Sequence, residues 1–183
     1  MTARLWPALT KAGNARVVSL SSTGVRFGNV DFDDPNFERR PYDKWKAYGQ
    51  SKTANSLFAV ALDRRGYHQG IRAFAVHPGR ISTDLGRFLT AKELVTGGEY
   101  KTAEQGAATS VWCSTSEQLS GMGGVYCMDC DIAPVQVDFA LQGTGQVLQG
   151  VLPWAIDPEF AERLWQLSER MTGVQFETGS RSE

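Results

Sequence analysis

Leu5 and Leu9, four apart with Trp6 between them, predict the closing turns of a helix that Gly13-Asn14 stops. The run Ala15-Arg16-Val17-Val18-Ser19-Leu20-Ser21 is apolar and β-branched and predicts a buried strand with hydroxyls at its carboxyl end. Asp31 to Pro41 is acidic, then basic, and carries Pro35 and Pro41, the pattern of a surface loop. From Asp43 onward Ala47, Ser51, Ala54, Asn55 and Phe58 recur at helical spacing; the small ones among them let a sheet or a symmetry mate approach closely. Ile71 to Val76 predicts a second strand, ended by Pro78-Gly79. Thr102 and Gln105 form a capping box for a helix with Ala107, Ala108, Val111 and Trp112 as its inner face, and Val125 to Cys127 follows as a short strand. Residues 134–156 read as a Gln/Gly/Val-rich connection. Asp157-Pro158-Glu159 then starts a helix over 157–173 with an apolar stripe of Phe160, Leu164, Leu167 and Met171, and residues 174–183 form a frayed polar tail. Strands alternating with helices predict an α/β class.

A chain of 183 residues is long enough for one domain with a sizeable core, so 1–183 reads as one unit with its sheet and helices in 1–133. A formal charge of −1 leaves no basic footprint for nucleic acid and no polybasic membrane patch. Pro7 breaks a short apolar start that has neither a signal-peptide pattern nor the length of a membrane span, which predicts a cytoplasmic protein. Cys113, Cys127 and Cys130 are an odd set that argues against a disulfide framework. Cys127 and Cys130 have zinc-ligand spacing, but they lack a second pair, and His68 and His77 lie far off in sequence; no metal is expected. The alternative is one packed strand-end thiol and one thiol in a turn.

Candidate chemistry centres on Lys44 to Leu62, KWKAYGQSKTANSLFAVAL. On a helix Tyr48 and Lys52 share one face, and the ammonium favours the phenolate of a side chain that otherwise titrates near ~10. A phenol that exchanges a proton with a carbonyl or alcohol oxygen works best when a second donor holds that oxygen. Ser22, at the end of the first strand, is that donor, with Ser21 the neighbouring candidate.

Ser22, Tyr48 and Lys52, preceded by RVVSLSS and followed by AVHPGRISTDL, resemble the catalytic set of the short-chain dehydrogenase/reductases. The insertion between Asn29 and Lys44 is similar to that of the retinol-dehydrogenase-like branch. The resemblance implies the carboxyl-terminal part of a Rossmann-type, doubly wound parallel sheet with flanking helices. It also implies hydride transfer between NAD or NADP and an alcohol, ketone or aldehyde, with Tyr48 as general acid/base, Lys52 on the nicotinamide ribose and Ser22 orienting the reacting oxygen. Pro78, Gly79, Ile81 and Thr83 correspond to the family's motif beside the nicotinamide, and Gly86 to Tyr100 to its variable substrate segment. His77 is read as structural.

The loop Thr23 to Val30 has three marks of the family's glycine motif, but Val30 replaces the last glycine and Asp31 to Pro35 stands where a helix should receive the pyrophosphate. It is read as a decoy. The family's glycine-rich βαβ unit has no counterpart in the chain. The first strand is therefore expected at a sheet edge, covered by upstream sequence, a second polypeptide or a rearranged dimer. The resemblance further implies a homodimer through the Ala47–Phe58 helix. A rival reading is a non-catalytic remnant that dimerises through that helix as a scaffold.

Overall fold

A computed structural model describes residues 1–84, 87, 90, 100–137 and 149–175. Four strands form one sheet in the order β1 (Ala15–Leu20), β2 (Ile71–His77), β3 (Val125–Met128) and β4 (Asp131–Ile132). The first three are parallel, and β4 returns antiparallel. Parallel strands covered on both faces need apolar residues at successive positions, which is what Ala73 to Val76 supply at the centre of the sheet. Phe74 and Val76 face one cluster with Cys113, Leu119 and Cys127; Ala73 and Ala75 face the other with Leu57, Ala61 and Tyr126. Helices thus cover both faces, as expected for the α/β class. β1 is an edge strand among the described residues.

Helix α1 (Thr2–Ala12) buries Trp6 and ends at Gly13, whose φ of 69° is readily accessible only to glycine. Helix α2 (Lys44–Gly66) starts where Asp43 accepts hydrogen bonds from the Trp45 and Lys46 amides. It packs between the sheet and α4 (Pro158–Thr172), where Phe58 and Trp165 stack with centroids 6.1 Å apart and Arg65 pairs with Glu162 at 2.7 Å. That contact occupies the Phe58 end of the small-residue face within the chain itself. α3 (Ala103–Thr115) covers the opposite face of the sheet and begins with the expected capping box of Thr102 and Gln105.

Three expectations change. On α3 the buried residues are Gly106, Thr109 and Cys113, while Ala107, Ala108 and Val111 are exposed and Trp112 is half-buried. Close approach selects the smallest side chains: a Cβ on Gly106 would stand 2.3 Å from Ile81 Cδ1. On α4 Phe160 and Leu164 of the expected stripe pack half-buried on the core, but the fully buried pair is Ala161 and Trp165, and Met171 is exposed. The segment from Asp31 to Pro41 is the expected surface loop, and it is tied down. Asp34 is buried and accepts from the Glu38 and Arg39 amides, Arg40 bridges Asp31 and Asp34, and Gln50 of α2 donates to the Pro35 carbonyl at 2.6 Å. Arg40 neutralises Asp31 and Asp34, while Asp33, Glu38 and Arg39 remain exposed. Within 134–156, Val151 and Leu152 are buried, and Val151 exchanges backbone bonds with the Pro134–Gln136 stretch. Residues 138–148 of that connection, most of the Gly86-to-Tyr100 segment and residues 176–183 of the tail lie outside the described residues. Two cysteines behave as read: Cys127 is buried on β3, and Cys130 is exposed in the turn to β4, where it and Asp129 have positive φ.

Candidate active site

The carboxyl ends of β1 and β2 lie side by side, with Leu20 aligned to Val76 and the Ser21 amide donating to the Val76 carbonyl at 2.8 Å. Side chains two apart on a strand share a face. Ser19 and Ser21 accordingly both turn to α2, their hydroxyls donating to the carbonyls of Asn55 at 2.9 Å and Lys52 at 2.8 Å. Ser21 is buried and committed to that helix. Ser22 points elsewhere: its oxygen accepts from the Gly24 amide at 3.0 Å and caps the short 3-10 turn Thr23–Phe27.

Gly24 separates Ser22 from Tyr48. A Cβ there would stand 2.4 Å from Tyr48 Cε1 and 3.4 Å from Ser22 Oγ, so the hydroxyl and the phenol ring flank one α-carbon. Gly49 seats the other end of the turn, since its Cβ would meet Phe27 Cβ at 2.7 Å, and the Thr53 hydroxyl donates to the Gly28 carbonyl at 2.9 Å. Lys52, one helical turn after Tyr48, places its ammonium 5.7 Å from the Tyr48 ring centroid and 3.4 Å from the Leu20 carbonyl. Partial burial lowers the Lys52 pKa from the ordinary lysine value. Trp45 meets Tyr48 edge-on at 6.5 Å and Phe27 at 5.1 Å, making an aromatic wall beside the phenol.

At the end of β2, buried His77 accepts at Nδ1 from the Thr23 amide at 3.4 Å, tying this strand to the turn after Ser22. Burial pushes its pKa down to about 4; Lys101 adds to the fall and Asp129 opposes it. The unfolded chain, with a histidine near ~6.5, binds more protons between those values, so stability rises with pH through that window and is level above it. We expect a loss of about 3 kcal/mol between pH 6.5 and pH 4 from this residue, from the His77 value near 4. Urea unfolding across that range checks it: His77→Gln should flatten the slope, and an unchanged slope refutes the assignment.

Beyond His77, Gly79 adopts φ +95° and its Cβ would lie 2.7 Å from Lys101 Cδ; Ile81 bridges to Lys101 and packs on Gly106. Pro78, Gly79 and Ile81 therefore form a rim held against the start of α3, and Thr83 is exposed beyond it. Ser22, Tyr48 and Lys52 come together. Gly24 and Phe27 were legible only as part of the decoy loop, and Gly49 and Trp45 carried no assigned role. The visible signal was Gly49, because an interior helical glycine is destabilising by about 1 kcal/mol unless something needs the space.

No family model matches the chain. It is 43% identical over 175 residues to a probable oxidoreductase of Streptomyces lividans, covering 88% of this chain and 57% of that protein. It is 36% identical over 168 residues to the short-chain dehydrogenase/reductase prx1 of Penicillium roqueforti, covering 87% and 47%. The chain belongs to the short-chain dehydrogenase/reductase family. Human retinol dehydrogenase 14 is another relative of this short-chain dehydrogenase/reductase, 32% identical over 181 residues, or 95% of this chain and 49% of that one. The crystal structure of an uncharacterized protein from Mycobacterium paratuberculosis superposes with a TM-score of 0.66 at 31% identity, covering 96% and 55%. The chain spans about half the length of these relatives. Among the described residues no helix is long and apolar enough to cross a membrane.

Proposed function

We propose that the chain serves an NAD- or NADP-dependent oxidoreductase that interconverts an alcohol with a ketone or aldehyde, with Tyr48 as its proton carrier. The observation that carries this reading is the cluster of Ser22, Tyr48 and Lys52 around Gly24 at the strand ends. In reduction the Tyr48 phenol gives its proton to the carbonyl oxygen, and in oxidation it takes the proton from the alcohol. Ser22 uses a lone pair on the Gly24 amide, which leaves its own proton free to donate to that oxygen. The Lys52 ammonium favours the phenolate.

The donors present fit a nicotinamide riboside: a half-buried ammonium lies 5.7 Å from the centroid of a phenol ring, near the carboxyl end of β1. When bound, the nicotinamide supplies or accepts the hydride. Lys52 and Tyr48 would hold its ribose, with Pro78, Gly79, Ile81 and Thr83 along the other side. Three free thiols support a cytoplasmic setting, and Ala47 and Ser51 leave part of α2 open to a second copy.

The edge of β1, unpaired among the described residues, and the exposed Ala107, Ala108 and Val111 of α3 favour a second reading, a non-catalytic scaffold that dimerises. Titration of the 183-residue chain with NADH and NADPH, followed by energy transfer from its tryptophans, separates the two. We expect saturable binding that weakens about 10- to 100-fold in Lys52→Ala, the loss of a charge-assisted hydrogen bond. A folded chain that binds neither nucleotide overturns the first reading for this chain.

A further inference from the structure

Among the described residues Tyr126 on β3 is the largest fully buried side chain that the proposed chemistry leaves unused; it is 2% exposed, and its hydroxyl has no hydrogen-bond partner among them. An unpaired buried hydroxyl calls for a reason. The register of the sheet says where it lies. Tyr126 aligns with Ala75, and Ala75 with Ser19, so all three stand in one row across the parallel strands and project to one face. Ser19 and Ser21 show which face that is, because both donate to carbonyls of α2.

The Tyr126 phenol therefore lies beneath α2, in the layer that holds Ser21 against the Lys52 carbonyl. Burial, first of all, raises its pKa well above the ordinary phenol value; the Ser21 hydroxyl works against this and the Tyr48 phenol adds to it, so both are electrostatic neighbours of Tyr126. It stays an O–H donor across the working pH range. Ser21 has spent its proton on Lys52 and keeps lone pairs for such a donor.

We propose that Tyr126 is a positioning residue for the turn of α2 that carries Tyr48 and Lys52. Its O–H swings onto the Ser21 oxygen, and the chain from Tyr126 through Ser21 to the Lys52 carbonyl sets how far that turn stands from the strand end bearing Ser22. Hydrogen bonds in series strengthen one another, so Ser21 grips the helix more tightly when it also accepts. Loss of the Tyr126 hydroxyl loosens the turn and lets the ammonium drift from the phenol. The inference deepens the reading of Tyr48 as proton carrier, and its test needs no turnover.

The titratable or charged groups on the elements packed round Tyr48 are Lys44, Lys46, Lys52, Asp63, Arg64 and Arg65 on α2, Arg26 on the turn after Ser22, Arg16 on β1, Arg72 and His77 on β2, and Cys127 and Tyr126 on β3. Of these only Tyr126 is altered by Tyr126→Phe. With tyrosines labelled at 13Cζ, the Tyr48 resonance is assigned by its loss in Tyr48→Phe and followed over pH. Tyr126→Phe should move its titration midpoint upward by roughly half a unit, the equivalent of one weakened hydrogen bond. Ser21→Ala should move it the same way, and the double variant no further, because both act through one chain. A Tyr48 curve unchanged in Tyr126→Phe, or two shifts that add, overturns the proposal; if Ser21→Ala fails to fold, the Tyr126→Phe comparison decides alone. A curve unmoved by Lys52→Ala would instead overturn the proton-carrier reading.

Discussion

Asp63→Ala should lower the free energy of unfolding by about 3–5 kcal/mol, the range for removing one partner of a buried ion pair. Asp63 of α2 accepts from Arg72 Nε and Nη2 at 2.9 Å each and from the Ala73 amide at 2.9 Å. Only 10% of the Asp63 side chain and 15% of the Arg72 side chain are exposed, so neither group falls back on water when the other is removed. The glycine turn before β3 closes on the same carboxylate: a Cβ on Gly123 would stand 1.9 Å from Asp63 Oδ1, and Arg72 also donates to the Gly121 carbonyl. One carboxylate thus joins α2, the start of β2 and the entry to β3. Urea unfolding measures the effect. Asp63→Ala/Arg72→Ala should lose less than the two single losses added, because the double variant strands no guanidinium. A loss under about 1 kcal/mol for Asp63→Ala would place the pair with ordinary surface pairs.

This ion pair sits at the amino-terminal end of β2, and the candidate site sits at the opposite, carboxyl end. The two ends were not equally legible in the sequence. Buried parallel strands announce themselves by unbroken apolar runs, so β1, β2 and β3 could be read directly. Asp43 and the Thr102–Gln105 box marked two helix starts because a cap is a local hydrogen bond, encoded within four residues. The inner face of α3 was not legible by the same logic. Apolar periodicity weighs large side chains, whereas a helix pressed onto Ile81 and Cys130 wants Gly106 and Thr109, the latter bonding the Cys130 amide at 3.2 Å. β4 is two residues long and carries no period at all.

At the site, Ser22, Tyr48 and Lys52 stood out because their order and flanking strands resemble a family. The residues that hold them did not. Gly24 and Gly49 matter through what they omit; Gly49 shows in the sequence only as a costly helical glycine, and what either makes room for emerges when the turn Thr23–Phe27 is laid on α2. Tyr126 meets the site only through sheet register, between segments far apart in sequence. The distinction between Ser21 and Ser22 came from the resemblance, and strand alternation now supplies its physical basis: one hydroxyl is turned to the helix carbonyl, the other to the turn beside the phenol.

Tyr48→Phe is expected to reduce turnover by about 10²–10⁴-fold, the usual contribution of a positioned proton carrier. The substitution deletes one oxygen and keeps the ring, so the edge contact with Trp45 and the fit over Gly24 persist. Nucleotide affinity should fall little beside the loss expected for Lys52→Ala, whose ammonium is the proposed ribose donor and support of the phenolate. That contrast separates proton transfer from binding. A KM near that of the unaltered chain with a collapsed kcat places Tyr48 in the chemical step, because only an interaction made in the transition state changes rate without changing affinity. Ser22→Ala should follow with a smaller fall, since the phenol still reaches the oxygen that the serine no longer holds. Turnover within a few-fold of the unaltered chain in Tyr48→Phe would remove Tyr48 from the reaction and leave the cluster round Gly24 as packing between a strand end and a helix.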